Sequence, residues 1–174
     1  MNIEKYFSDT DVFQYKIIPS SEIPFSEDVI KMCEMNRCGK YGTCWTCPPG
    51  VGTLSELEKK IKSYENACVF TFKSDLEDSF DLEGMVKGQR HIKKVTREIA
   101  DRMRLDGETF MVLGAEGCEL CEKCTYPENP CRFPERAVPS IEACGIDVVS
   151  LSRRAEINYN NGENTVTYFS VILW

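Results

Sequence analysis

Histidine occurs once in 174 residues, at position 91. A single imidazole excludes a histidine-rich metal site and any catalytic dyad of histidines. No stretch approaches the roughly 18 uninterrupted apolar residues that a membrane-spanning helix needs. The opening MNIEKYFSDTD is polar and acidic and lacks the apolar core of a secretory signal, so a reducing cytoplasm is the expected address. The G-x-G-x-x-G, Walker and G-x-S-x-G patterns are all missing, and Gly50–Gly52 and Gly84–Gly88 are too sparse to argue for a nucleotide. No internal repeat, low-complexity tract or linker breaks the chain, which reads as one domain over residues 1–174. A net charge of −7 speaks against broad nucleic-acid binding.

Cysteine, by contrast, is abundant: ten residues in a chain with no secretory signature. In a reducing compartment such a count points to metal or redox chemistry rather than to disulfides. Eight of the ten fall in two groups. The stretch CEMNRCGKYGTCWTCPPG places Cys33, Cys38, Cys44 and Cys47 at C-x4-C-x5-C-x2-C, and CELCEKCTYPENPC places Cys118, Cys121, Cys124 and Cys131 at C-x2-C-x2-C-x6-C. Four thiolates complete either one tetrahedral zinc or one 4Fe–4S cubane. Structural zinc usually takes two C-x2-C knuckles separated by a longer span, each supplying two ligands. Three cysteines in consecutive x2 steps instead wrap one compact loop around separated points, as in the C-x2-C-x2-C run of bacterial ferredoxins. The x6 step to Cys131 departs from the ferredoxin spacing, and the x5 step makes Cys44 the least regular of the first group. Ligand exchange between the groups therefore stays open.

The surrounding pattern alternates strands and helices. VFQYKII (12–18), ACVFTF (67–72), TFMVLGA (109–115), IDVVSL (146–151) and the terminal TVTYFSVILW read as strands. Ser26 is placed to cap a helix toward Cys33, and Thr53 and Glu56 form a capping box. A long helix from about Met85 to Leu105 carries Met85, Ile92, Val95, Ile99 and Met103 on one stripe. Pro139 and Ser140 open a short helix that Gly145 ends. The expected fold is an α/β (α+β) sandwich, a mixed β-sheet flanked by helices, with two cysteine-rich metal-binding loops. The final strand is apolar enough to lie either centrally or at an edge buried in a homodimer.

Outside the two groups the signals are weaker. Cys68, inside an apolar strand, and Cys144, beside Gly145, read as small buried hydrophobes. His91 reads as a surface residue on the polar side of the long helix. That side also carries Lys87, Arg90, Lys93, Lys94, Arg97, Arg102 and Arg104. It is the solvated face of an amphipathic helix or a dock for an acidic partner. Arg132, next to a ligand, either tunes a potential or forms a surface ion pair.

The segments CGKYGTCWTCPPGVG and EGCELCEKCTYPENPCRFPERAVPSIEACGIDV resemble a prokaryotic family of predicted metal-binding proteins, domain of unknown function 2284. The resemblance spans nearly the whole chain, and it implies metal binding, with anaerobes as a frequent source, without a reaction. The leading expectation is a cytoplasmic protein with two 4Fe–4S clusters, one per group, that exchanges electrons with a redox partner. One alternative is an enzyme with one three-ligand cluster open to a small substrate, helped by Lys40, Tyr41 or Glu116. Another is a zinc-stapled interaction module.

Overall fold

The computed structural model describes residues 1–174. Four strands form one sheet: β1 (Gln14–Pro19), β2 (Asn66–Asp75), β3 (Met111–Leu113) and β4 (Thr165–Leu173), in the order β1-β2-β4-β3. All three pairings are antiparallel, with Val69 opposite Val171 and Ile172 opposite Val112. The final strand is thus central.

Both faces of the sheet are covered, and the period-2 alternation of side chains divides the core. Ala67, Val69, Phe169, Val171 and Leu173 point to one side, where they meet Leu57 and Ile61 of α2 (Leu54–Lys62) and Leu151 of α4 (Val148–Arg154). Cys68, Phe70, Phe72 and Ile172 point to the other, against Ile92, Val95, Ile99 and Met103 of α3 (Leu82–Leu105). Helices on both sides of an antiparallel sheet make the expected α+β sandwich.

Local sequence accounts for most helix starts. Ser26 accepts from the Asp28 N–H at the head of α1 (Glu27–Glu34). At α2 the capping box is complete: Thr53 Oγ1 accepts from the Glu56 N–H, and the Glu56 carboxylate accepts from the Thr53 N–H at 2.9 Å. Gly145, at φ +75°, ends the 3-10 turn Glu142–Cys144, and a Cβ there would also strike the Leu54 methyl at 2.3 Å.

Two expectations need correction. The segment IDVVSL is not a strand: residues 148–154 form α4, because Asp147 accepts from the Val149 and Ser150 N–H groups and starts a helix. Leu151, Ser152 and Ala155 are buried at helical spacing, so the apolar run serves a period of 3.6 rather than 2. The sheet is also antiparallel throughout rather than mixed, each strand pairing with neighbours that run the other way. The one parallel pairing is an isolated bridge between Gly114 and Ser140. This bridge matters for position: it ties the end of β3, where the second cysteine loop begins, to the segment that returns from that loop.

Candidate metal centre

The two cysteine loops leave the same end of the sandwich and lock together. Trp45 and Tyr126 meet edge to face at 4.9 Å, and Trp45 Nε1 donates to the Asn129 carbonyl at 3.0 Å. Gly50 lies beneath the Tyr126 ring: a Cβ there would sit 2.8 Å from Tyr126 Cε2 and 2.7 Å from the Cys44 carbonyl oxygen. Thr46, buried between two cysteines, accepts from the Cys118 N–H at 3.0 Å and lies 3.5 Å from Cys44 Sγ. A Cβ on Gly117 would meet Cys47 Sγ at 3.0 Å, so glycine is what lets the second loop pass over the thiol of the first.

The eight cysteines line two adjoining compartments. The first, about 320 Å³, is walled by Cys33, Cys38 and Cys47. The second, about 20 Å³, is walled by Cys118, Cys121, Cys124, Cys131 and Cys44. Spacing grouped the eight as four and four; in space three line the first compartment and five the second, Cys44 bordering the second while its thiol meets that of Cys47. All ten thiols are free, and no three His, Cys, Asp or Glu donors converge where one ion would sit.

Electrostatics differ between the thiols. The Cys47 thiol hydrogen-bonds Cys44 and holds the Cys44 pKa down to about 5, with Thr46 adding to the effect, while Cys47 is pushed well above its ordinary value by the same contact. One proton shared between neighbouring sulfurs explains both directions. Burial pushes Cys33 and Cys118 up. Beside the first compartment, which Lys40 and Glu116 line, lies an ion network that sequence reasoning missed. Lys93 of α3, only 8% exposed, reaches Glu119 at 3.1 Å and Glu116 at 3.4 Å, and Lys40 reaches Glu119 at 3.5 Å. Burial pushes Glu119 up, but the two ammonium groups outweigh it and hold the carboxyl below its usual range. Lys93 lies beside Ile92 and one turn before Thr96 on the buried side of α3; a helical wheel separates it from the basic run to which it was assigned.

The remaining sites are as the sequence suggested or more local. Cys68 and Cys144 are fully buried in the two core layers. His91 is half exposed and pairs with Asp11 at 2.5 Å. Arg132 Nη1 donates to the Lys123 carbonyl at 2.9 Å, which clamps the second loop across its cysteines rather than forming an ion pair.

No helix is long and apolar enough to cross a membrane. The sequence model of a family described as predicted metal-binding protein (DUF2284) matches residues 16–174. No curated protein and no solved structure matches the chain.

Proposed function

The chain belongs to the DUF2284 family of predicted metal-binding proteins, and from that premise we propose that it is an iron–sulfur protein holding two 4Fe–4S clusters and exchanging electrons with a partner redox protein. The observation that carries this reading is the arrangement of sulfur around space. Eight thiols surround two neighbouring compartments while no three donors meet at a single point. A cubane, whose irons occupy separate corners, asks for such a ring of thiolates; a lone ion asks for convergence. The donor set fits as well, being thiol throughout.

When bound, such clusters supply one-electron transfer at a potential set by charge, hydrogen bonds and burial. The protein's own residues would set those terms. Thr46 spans both loops by accepting from the Cys118 N–H beside Cys44. Lys93 and Lys40, paired with Glu116 and Glu119, would set the charge beside the first compartment. Cys44, hydrogen-bonded to Cys47 yet facing the second compartment, is positioned to complete either ligand set. Cys38 is exposed and Cys121, Cys124 and Cys131 are half-buried, so electrons would have a short way to the surface. An open groove of about 950 Å³ beside Cys131 and Trp45 gives a partner room to approach.

One observation favours a second reading at the second compartment. Its 20 Å³ is room for about one water molecule, so a cubane there requires residues 118–131 to spread further than a single zinc would. Metal and acid-labile sulfide analysis of protein purified without oxygen separates the readings. About eight irons and eight sulfides per chain, with absorbance near 400 nm and reversible one-electron reduction, are expected. Four irons with one zinc would confine the cluster to the first compartment, and zinc without sulfide would overturn the iron–sulfur reading.

A further inference from the structure

The first compartment is lined by cysteines and by aromatic and polar side chains. At about 320 Å³ it falls within the range of roughly 300–1,000 Å³ typical of small-molecule pockets. Together with Cys33, Cys38 and Cys47, the aromatic residues Tyr41, Tyr159, Tyr168 and Phe169 line it. Two of these rings are fixed. Tyr159 stacks on Phe169 at 5.8 Å and 24°, and the Tyr168 hydroxyl donates to the Met85 carbonyl at 2.5 Å. Aromatic faces held in place favour a flat ligand.

The polar groups define its charge. Glu116, Glu142, Gln89 and Lys40 line the cavity, Glu116 being paired with Lys93 at 3.4 Å and Lys40 with Glu119 at 3.5 Å. Glu116 adopts a left-handed backbone, φ 59°, a conformation that costs a non-glycine residue and that tends to be kept where function requires it. Two carboxylates against one lining ammonium disfavour an anion and accept from N–H groups. Three cysteines line the cavity, one fewer than a cubane takes, and the next thiol, Cys44, meets Cys47 but is shared with the second compartment.

We propose that this cavity binds a planar nitrogen heterocycle, stacked on Tyr159 and Tyr168, hydrogen-bonded through its ring N–H to Glu116 or Glu142, and lying beside the cluster that Cys33, Cys38 and Cys47 would hold. The proposal rests on the iron–sulfur reading above. It makes this end of the protein a site for a small substrate or effector rather than a relay alone.

Benzimidazole is a suitable probe, with benzoate as its anionic counterpart. Calorimetry and EPR of the reduced protein, both without oxygen, are measured on one sample of known iron and sulfide content. Saturable binding of benzimidazole near one per chain, a changed EPR spectrum and no binding of benzoate are expected. Tyr159→Ala and Glu116→Gln should each weaken binding about tenfold while leaving the iron content as it was; Tyr159 is half exposed, so its removal does not threaten the fold. Cys44→Ser should keep the EPR signal that benzimidazole changes. Absence of saturable binding in a sample with full iron and sulfide would overturn this inference and leave the cluster reading standing. A sample without iron or sulfide would overturn the cluster reading itself. Equal affinity of an iron-free chain would remove the cluster from the binding site.

Discussion

Gly50→Ala tests the interlock of the two loops. The added methyl would lie 2.7 Å from the Cys44 carbonyl oxygen and 2.8 Å from Tyr126 Cε2. Neither neighbour can yield cheaply. The carbonyl is backbone within the first loop, and the Tyr126 ring is held edge-on to Trp45 at 4.9 Å. The backbone at Gly50 is not in the left-handed region, so the cost is steric rather than conformational. Overpacking of this kind typically costs about 1–3 kcal/mol. In a chain of this length each kcal/mol moves the midpoint by about 2–4 °C, so a fall of about 2–12 °C is expected. The methyl also pushes the second loop away from Cys44, so bound metal should fall in the second compartment at least. Thermal unfolding and metal analysis of the variant, prepared without oxygen, read both effects. A wild-type midpoint together with a full metal complement would refute the close approach of the loops.

Three further outcomes are expected. Lys93→Met removes a buried ammonium whose carboxylate partners are 42% and 45% exposed and stay hydrated. Stability should therefore fall by only ~1 kcal/mol, while the reduction potential of bound clusters shifts downward in a potentiometric titration; an unchanged potential would argue against electrostatic control by this residue. Asp147→Ala loses the cap of α4 and should cost about 0.5–2 kcal/mol in urea unfolding at pH 7. The Ser150 hydroxyl is the main group that holds the Asp147 carboxyl below its ordinary 3.8. Its contribution is therefore complete above that value and lost as pH falls through the lower folded one, so the gap between wild type and variant should narrow below pH 3.8. Cys68 and Cys144 are fully buried, and burial pushes both thiols up to about 12. Cys68→Ala and Cys144→Ala should leave metal content unchanged, and mass spectrometry should find neither thiol alkylated by iodoacetamide in the native protein.

Local sequence determined a good deal about this protein. The caps at Ser26 and Thr53, the long apolar stripe of α3, the strands around residues 14–19, 66–75, 111–113 and 165–173, and the burial of Cys68 and Cys144 follow from interactions a few residues apart or from side-chain period. Where period was ambiguous, the reading failed: a six-residue apolar run at 146–151 fits strand and helix alike, and Asp147 decided for helix by accepting two backbone N–H groups. Strand order and direction were out of reach, because they depend on which edges meet after the chain has turned back.

The cysteine-rich loops were legible as chemistry and not as geometry. Ten thiols against one imidazole state the kind of ligand, and residue type needs no fold to express it. Which sulfurs face one another is set by contacts between segments some 70 residues apart, such as Thr46 with the Cys118 N–H and Trp45 with Asn129. Those contacts set Cys44 beside Cys47 at the border of the second compartment, while packing brings Lys93 from a basic helix onto Glu116 and Glu119 and leaves a tyrosine-lined cavity beside three cysteines. A sequence records side chains and their spacing along the chain; only the packed sandwich, through excluded volume and desolvated charge, decides which of them share a space.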